Sequence, residues 1–149
     1  ICRSRSSAYR TESRNCTALI TMAQANYIGR RKTSTARLYI KPGKGSIVIN
    51  NTSIEEYLPV KAMRNIALLP MHITETQDQY DIKVTVRGGG KAGQAGAIQH
   101  ALARALDGEH EGVHTPLKEH GLLTRDDRMV ERKKYGQPKA RKRFQFSKR

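Results

Sequence analysis

Residues 80–86, YDIKVTV, show the clearest pattern in the chain, a strict alternation of apolar and polar side chains. The apolar positions are Tyr80, Ile82, Val84 and Val86. A period of two places such residues on one face of a β-strand and the intervening polar residues on the other. The pattern therefore predicts a strand in a sheet with one buried face and one solvent-exposed face.

The stretch ARLYIKPGKGSIVIN, residues 36–50, alternates in the same way on both sides of a Pro/Gly-rich turn. Leu38 and Ile40 precede the turn, and Ile47 and Ile49 follow it. Two alternating runs around such a turn are typical of a β-hairpin, so we predict a hairpin here.

The spacing of the apolar residues changes after the three glycines at 88–90. Over residues 91–108 the apolar side chains recur at helical spacing, which predicts an amphipathic helix that Gly108 ends. Its apolar face is formed by Ile98, Ala101, Leu102, Ala105 and Leu106.

Shorter helices are predicted on both sides of the clear strand. Ser53 is a suitable N-cap for a helical segment with two glutamates in its first turn. Residues 60–70 predict a second short helix, which Pro70 helps to end. A third is predicted near TPLKEHG (115–121), where Gly121 is a natural stop.

Strands followed by helices on one face predict an α+β two-layer sandwich, which we assign to residues 22–124. Residues 1–21 differ in composition, with four Arg and four Ser against one Glu, and Met22 follows them. They are expected to be either a transit-like extension or the product of an over-long reading frame. The two cysteines, Cys2 and Cys16, form no CxxC pair, so neither a zinc site nor a disulfide framework is predicted.

Charge adds a second part to this picture. The chain carries 28 basic and 13 acidic residues, a formal net charge of +15, and its last eighteen residues hold nine Lys or Arg and no acidic residue. Residues 125–149 are therefore predicted to form a long, extended, basic tail that cannot fold alone. The charge indicates a polyanionic partner: nucleic acid, an anionic membrane surface or an acidic protein.

The composition of the tail favours RNA among these partners. Tyr135, Phe144 and Phe146 lie between its charges, where they could stack on bases or sugars. A membrane-surface patch usually has an apolar anchor beside it, and none is visible, so no membrane partner is predicted. A localisation signal remains a further alternative for the tail.

A second basic cluster, GRRKTSTAR at 29–37, lies at a predicted strand start. Its cations suit phosphate contacts, and the hydroxyls between them can donate to phosphate oxygens. The alternative is a solvated edge strand whose charges prevent aggregation.

The glycine run GGGKAG at 88–93 fits the GxGxxG pattern at the start of a helix. No second strand with an acidic residue follows, and Lys91 is followed by Ala92 and not by Ser or Thr, so neither a dinucleotide site nor a Walker motif is supported. No cofactor is predicted. The turn either contacts a backbone phosphate, with Lys91 beside it, or has a purely structural role.

The histidines do not suggest catalysis or metal binding. His110 and His114 are four residues apart near glutamates, but they lie between predicted helices without a zincin pattern, so we expect solvated loop histidines. The sequence also lacks a nucleophile elbow and a Cys–His constellation. No catalytic residue and no metal ligand is predicted, and we expect a protein that is not an enzyme.

Several strings, in this order, resemble the bacterial-type small-subunit ribosomal protein nine family. They are IGRRKTSTARLYIKPGKGSIVIN, YDIKVTVRGGGKAGQAGAIQHALARAL and LLTRDDRMVERKKYGQPKARKRFQFSKR. The similarity spans roughly residues 27–149, is weakest at 59–79 and is most specific at the closing FQFSKR. Residues 1–21 depart from the family pattern.

The resemblance implies a four-stranded sheet with helices on one side and a left-handed βαβ crossover. It implies a structural role in the head of the small ribosomal subunit, bound to the 3′ major domain of its ribosomal RNA beside neighbouring head proteins. It also implies that the end of the tail, Ser147, Lys148 and Arg149, contacts the P-site transfer RNA.

Charge and resemblance together give a set of candidate residues for binding ribosomal RNA. They are Arg30, Arg31, Lys32, Arg37, Lys91, Arg125, Arg128, Arg132, Lys133, Lys134, Lys139, Arg141, Lys142 and Arg143. Two other classes stay open: a free-standing RNA-binding module or RNA chaperone, and a nucleotide-dependent enzyme using the glycine run. The expected location is a bacterial-type ribosome in the cytoplasm, with an organellar ribosome of a mitochondrion or plastid as the alternative.

Overall fold

The computed structural model describes residues 25–147, whose strands and helices form an α+β fold. The strands are β1 (Asn26–Arg31), β2 (Ser34–Pro42), β3 (Ile47–Ile49), β4 (Thr52–Ser53) and β5 (Tyr80–Arg87). The helices are α1 (Ile54–Tyr57), α2 (Lys61–Thr74), α3 (Lys91–Glu109) and α4 (His114–Glu119). The predictions for residues 1–21, including both cysteines, and for Lys148 and Arg149 fall outside the described residues.

The five strands form one sheet in the order β1-β2-β5-β3-β4. Neighbouring strands are antiparallel except for β3 and β5, which are parallel. The expectation of four strands is therefore wrong. Asn50 and Asn51 have φ angles of 49° and 66°, so the chain reverses in two residues and Thr52–Ser53 pairs with β3 as a short fifth strand.

The hairpin predicted at 36–50 is also wrong, because β5 lies between β2 and β3. The carboxylate of Asp81 in β5 accepts hydrogen bonds from the backbone N–H groups of Lys44 (3.1 Å) and Ser46 (2.9 Å). Gly43 N–H donates to the Gln79 carbonyl at 2.9 Å. The Pro/Gly loop is thus held against the beginning of β5, and its two strands pair with β5 instead of with each other.

The parallel β3–β5 pair is joined through β4, α1 and α2. This is the crossover that the resemblance implies, and its left-handed sense stays a prediction. One hairpin that the structure does contain joins β1 to β2 through Lys32 and Thr33, with Lys32 in the left-handed region at φ 52°.

The α2 helix continues past Pro70 to Thr74, so the prediction that Pro70 helps to end it is wrong. Pro70 lacks the N–H that would continue the helical ladder, but its ring is buried beside Ala67 and Met71. Burial of that apolar surface favours the helix despite the missing hydrogen bond. The helix instead ends at Glu75, whose φ of 53° is left-handed.

The core lies between the sheet and α3. The alternation predicted for β5 is confirmed, since Tyr80, Ile82, Val84 and Val86 are all buried. The predicted apolar face of α3 is also buried against β1, β2 and β5, and α2 packs on α3. The helix ends at Glu109, one residue after Gly108.

Two helix ends have the capping residues that the sequence predicts. Ser53 caps α1 by accepting a hydrogen bond from the N–H of Glu56 at 3.3 Å. Gly121, with φ 67°, follows α4 and donates its N–H to the Lys118 carbonyl. Within residues 25–147, no helix has the length and apolar composition required to cross a membrane.

Candidate nucleic-acid interface

The basic segment 125–147 contains no helix or strand and is fastened to the core at its beginning. Arg31 in β1 forms an ion pair with Asp126, with Nη2 and Oδ2 2.7 Å apart. Its Nη1 also donates to the carbonyls of Asp126 (3.2 Å) and Arg128 (2.8 Å). Arg31, predicted to bind RNA, is half-buried here and positions the start of the segment.

Asp126 is contacted by a second arginine as well. Arg128 donates to the Asp126 carboxylate from its backbone N–H, its Nε and its Nη2, at 2.8–3.1 Å. The hydrogen bonds from Arg128, assisted by the charge of Arg31, hold the pKa of the Asp126 carboxyl well below its usual range. Both arginines are thus partly neutralised by one carboxylate.

A second internal contact folds the segment back on itself. Glu131 accepts from Arg141 Nε at 2.8 Å and pairs with Lys134 Nζ at 3.0 Å. The hydrogen bond from Arg141, followed by that from Lys134, lowers the pKa of Glu131. Lys134 and Arg141, both candidate RNA ligands, are therefore engaged in exposed contacts, which are weak in water.

The remaining candidate cations of the segment are exposed. None of them forms an ion pair with an acidic residue within residues 25–147. They are Arg125, Arg132, Lys133, Lys139, Lys142 and Arg143.

The aromatic rings of the segment have no core to fill. Tyr135 is 93% exposed, Phe144 73% and Phe146 94%. Ser147, the last described residue, is exposed too. Large apolar rings exposed to water between cations are available to stack on a partner.

The basic cluster at 29–37 is divided by its strands. Arg30, Lys32 and Arg37 are exposed, whereas Arg31 is turned toward α3 and the basic segment. Alternation explains the opposite directions of Arg30 and Arg31, because neighbouring residues of a strand face opposite sides of the sheet, and Lys32 lies in the turn between β1 and β2.

The glycine run packs against the β1–β2 turn. A Cβ at Gly88 would lie 2.6 Å from the Thr33 carbonyl oxygen, and one at Gly89 would lie 2.1 Å from Ser34 Oγ. Both glycines also have positive φ. Packing therefore accounts for Gly88 and Gly89 whether or not a phosphate binds there.

Lys91 follows the run and interacts with α1. Its Nζ donates to the Tyr57 carbonyl at 3.0 Å and lies 3.5 Å from the centroid of the Tyr57 ring. Lys91 is exposed, so the ammonium group that contacts Tyr57 is also the group predicted to contact RNA.

The two spaced histidines match the predicted solvated loop residues only in part, because both are hydrogen-bonded and His114 belongs to α4. His110 caps α3 and its Nε2 lies 2.6 Å from Tyr80 Oη, with the rings edge to face. His114 begins α4 and its Nδ1 lies 2.8 Å from Asp107 Oδ1. In the described part of the chain, no three His, Cys, Asp or Glu side chains group as metal ligands would.

Comparison with known proteins shows which class of protein this chain resembles. The family model described as ribosomal protein S9/S16 matches residues 29–149. The small ribosomal subunit protein uS9 of Chlorobaculum parvum is 56% identical over 122 residues, covering 82% of this chain and 95% of that protein. The proteins of the same name from Amoebophilus asiaticus and Rickettsia conorii are 55% and 54% identical, over 83% and 81% of this chain and 97% and 76% of their own lengths.

The α+β fold, the basic segment and these matches define a structural ribosomal protein, a class that is not enzymatic. More particularly, the chain belongs to the ribosomal protein S9/S16 family, which confirms the resemblance seen in its sequence strings.

Proposed function

We propose that this chain is a structural constituent of the head of the small ribosomal subunit, where it binds the 3′ major domain of the ribosomal RNA. The observation that carries this proposal is the segment 125–147, which is fastened to the core by Arg31 and otherwise carries exposed cations and aromatic rings. A segment of this composition gains its order from a polyanionic partner.

The exposed cations are the first residues to assign to phosphate contacts. They are Arg30, Lys32, Arg37, Arg125, Arg132, Lys133, Lys139, Lys142 and Arg143. Arg31, Lys91, Arg128, Lys134 and Arg141 make contacts within the chain. Among these, Lys134 and Arg141 can exchange Glu131 for phosphate at small cost because their contacts are exposed.

The end of the tail would reach RNA that lies beyond the contacts of the globular core. We assign residues 22–124 to the globular core and 125–149 to an RNA-binding tail. Eighteen extended residues span about 60 Å at ~3.3 Å per residue, enough to pass from a surface domain into an RNA interior. Ser147, Lys148 and Arg149 would then contact the P-site transfer RNA through its phosphates, without reading its sequence.

The proposed setting is a bacterial-type ribosome, with neighbouring head proteins as further partners. Its relatives include the proteins of Chlorobaculum parvum and of Rickettsia conorii. The cytoplasm of a bacterium is the proposed compartment, and an organellar ribosome is the second candidate.

Sedimentation of a cell lysate on a sucrose gradient, at low and then high salt, tests the proposal. A chain that remains with the small subunit through the salt wash supports buried and specific contacts. A loosely attached binder should dissociate steeply, by roughly 0.7–0.9 in log–log slope per phosphate contact. Recovery only in the light fractions would favour a free-standing RNA-binding module or chaperone instead.

A further inference from the structure

The sheet face opposite α3, here called the open face, carries rows of polar residues that become neighbours only when the strands pair. Strand register places Arg30, Thr35 and Arg87 side by side across β1, β2 and β5. The next row holds Arg37 beside Thr85.

A third row of the open face holds Tyr39 beside Lys83, with Val48 of β3 on the far side of Lys83. Lys41 follows two residues after Tyr39 on β2. Rows on one strand are about 7 Å apart, because only every second residue faces the same side.

The cations of the open face are not neutralised by ion pairs within the described chain. Arg30, Arg37, Lys41, Lys83 and Arg87 are all exposed, and none forms an ion pair within residues 25–147. This distinguishes them from Arg31, Arg128 and Arg141, whose guanidinium groups contact carboxylates.

The rows also contain one acidic residue, Asp81, which lies beside Lys41 and offsets only one of the five cations. Its carboxylate accepts from the backbone N–H groups of Ser46 and Lys44, which lower its pKa and fix it at the rim of the sheet. The face between Arg30 and Lys83 is left with an excess of positive charge.

Two shallow cavities lie on this face and share one aromatic residue. The first, about 370 Å³, is lined by Thr35, Arg37, Tyr39, Thr85 and Arg87. The second, about 350 Å³, is lined in part by Tyr39, Val48 and Lys83. Tyr39 thus stands between a pocket with two guanidinium groups and a pocket that Lys83 and Asp81 both line.

We propose that the open face is a second RNA-binding surface, in which Arg37, Lys83 and Arg87 hold backbone phosphates and Tyr39 packs on a base or sugar. The inference rests on the proposed binding of ribosomal RNA and names a surface for it that is separate from the tail. Arginines suit bidentate phosphate contacts, and Thr35 and Thr85 add hydroxyl donors between them.

Charge favours RNA over a protein as the occupant. Protein interfaces have cores depleted of charge, whereas this face presents cations in successive rows around a single aromatic ring. Cations interleaved with an aromatic platform are the arrangement that binds a nucleic-acid strand through phosphates and stacking. A protein partner is one outcome of the tests below.

The first test compares two full-length variants that lose the same charge. Arg37→Gln/Arg87→Gln removes two cations from the open face, and Lys61→Gln/Lys118→Gln removes two exposed cations from α2 and α4. Binding to naked small-subunit ribosomal RNA is measured across a salt series. The open-face variant should lose about tenfold in affinity and roughly 1.4–1.8 in log–log salt slope, and the control should change much less.

The aromatic contact is tested separately by Tyr39→Leu, with Tyr39→Phe as the control that keeps the ring. Tyr39→Leu should weaken binding by roughly fivefold or more, and Tyr39→Phe should leave it near the wild-type value. Equal affinities for these two variants would refute the stacking contact of Tyr39.

The outcomes separate this inference from the proposed function. If Arg37→Gln/Arg87→Gln behaves like its control while Arg141→Glu/Lys142→Glu/Arg143→Glu abolishes binding, the open-face proposal is overturned and RNA binding by the chain stands. If the wild-type chain prefers small-subunit RNA no more than an unrelated RNA, the proposed function itself fails.

The second test needs no substitution. Acetylation of Lys83 and Lys41 is measured by mass spectrometry in purified small subunits, in nuclease-treated subunits and in the free chain. Protection in intact subunits that nuclease removes supports RNA as the occupant. Protection that survives nuclease indicates a protein cover, and full reactivity indicates an open surface; either result overturns the proposal.

Discussion

Arg31 and Asp126 are 95 residues apart in sequence, yet their side chains meet with Nη2 and Oδ2 2.7 Å apart. The contact joins the first strand of the sheet to the first residues of the basic tail. The same guanidinium also donates to two backbone carbonyls of that tail. Arg31 therefore sets the point and the direction from which the tail leaves the core.

Replacing Arg31 should release the beginning of the tail without unfolding the core. We expect Arg31→Gln to increase the rate of chymotrypsin cleavage after Met129 or Tyr135 in the free protein, because backbone held by side-chain contacts resists proteolysis. Arg30→Gln is the matched control, since it removes the same charge from an exposed neighbour. Equal cleavage rates in the two variants would show that the anchor has no such effect.

Gly29 allows β1 to approach α3 more closely than any other residue could. A Cβ at this position would lie 2.1 Å from the carbonyl oxygen of Ala97 and 2.4 Å from the backbone nitrogen of Ala101. Gly29→Ala should reduce the free energy of unfolding by about 3 kcal/mol, because backbone atoms of a packed helix cannot move aside. Denaturant unfolding measures this loss.

Gly90→Ala is the control for that substitution. Nothing lies within 4 Å of a Cβ added at Gly90, and its φ of −107° suits any residue. The loss should be at most about 1 kcal/mol, as expected at a helix N-cap. A similar loss in both variants would contradict the close-packing explanation.

His100 should make stability depend on pH. Its Nε2 lies 3.2 Å from the Leu123 carbonyl, and its Nδ1 is buried without a hydrogen-bond partner in the described chain. Burial lowers the pKa of His100, outweighing the hydrogen bond to Leu123, and the charges of Arg104 and Arg125 lower it further.

The sign of the effect follows from proton binding. Between the lowered pKa and the ordinary value of 6.5, the unfolded chain binds more protons than the folded chain, so stability falls as the pH falls. Acidification from about pH 7.5 to about pH 5 should lower the Tm of the wild type more than that of His100→Gln. His120→Gln, which removes an exposed histidine, should retain the wild-type slope.

Removal of Lys148 and Arg149 should leave assembly intact but weaken retention of P-site transfer RNA. The physical reason is the loss of two phosphate contacts at the tip of the tail, while the RNA contacts of the core and of residues 125–147 remain. Transfer RNA affinity of purified truncated subunits measures the effect. An affinity equal to that of wild-type subunits would refute the assignment of the tip.

Charge reversal within the tail should act earlier, during assembly. Arg141→Glu/Lys142→Glu/Arg143→Glu replaces three phosphate-binding cations by anions that RNA repels. Occupancy of the chain in purified small subunits should fall well below that of the wild type. Normal occupancy would show that this part of the tail does not contribute to incorporation.

The sequence predicted which residues are buried better than which strands are neighbours. The alternation in β5, the apolar face of α3 and the Ser53 cap depend on local pattern, and each is confirmed. The pairing of β2 and β3 with β5 is not local, because the same residues would face the core in a simple hairpin. Two backbone N–H groups held by Asp81 favour the observed arrangement, and residue type alone does not show that contact.

The candidate nucleic-acid interface shows the same difference between features that local sequence predicts and contacts that only the fold creates. Lys and Arg can be counted in the sequence, but the carboxylate that engages Arg31 lies 95 residues away along the chain. The open face was missed because Tyr39, Lys83 and Arg87 become neighbours only when β2 and β5 pair. The alternating polar positions of YDIKVTVR would have indicated Lys83 and Arg87, had the sheet neighbours been known.

The central position of β5 bears on how the chain folds while it is being synthesised. β2 and β3 leave the ribosome before β5 does, and each must wait for β5 because it has no other long partner on that side. Until Arg87 has emerged, both strands expose unpaired backbone edges, which are prone to wrong pairing. The nascent protein can thus join its β1–β2 and β3–β4 pairs into one sheet only in a late step, once β5 has been translated.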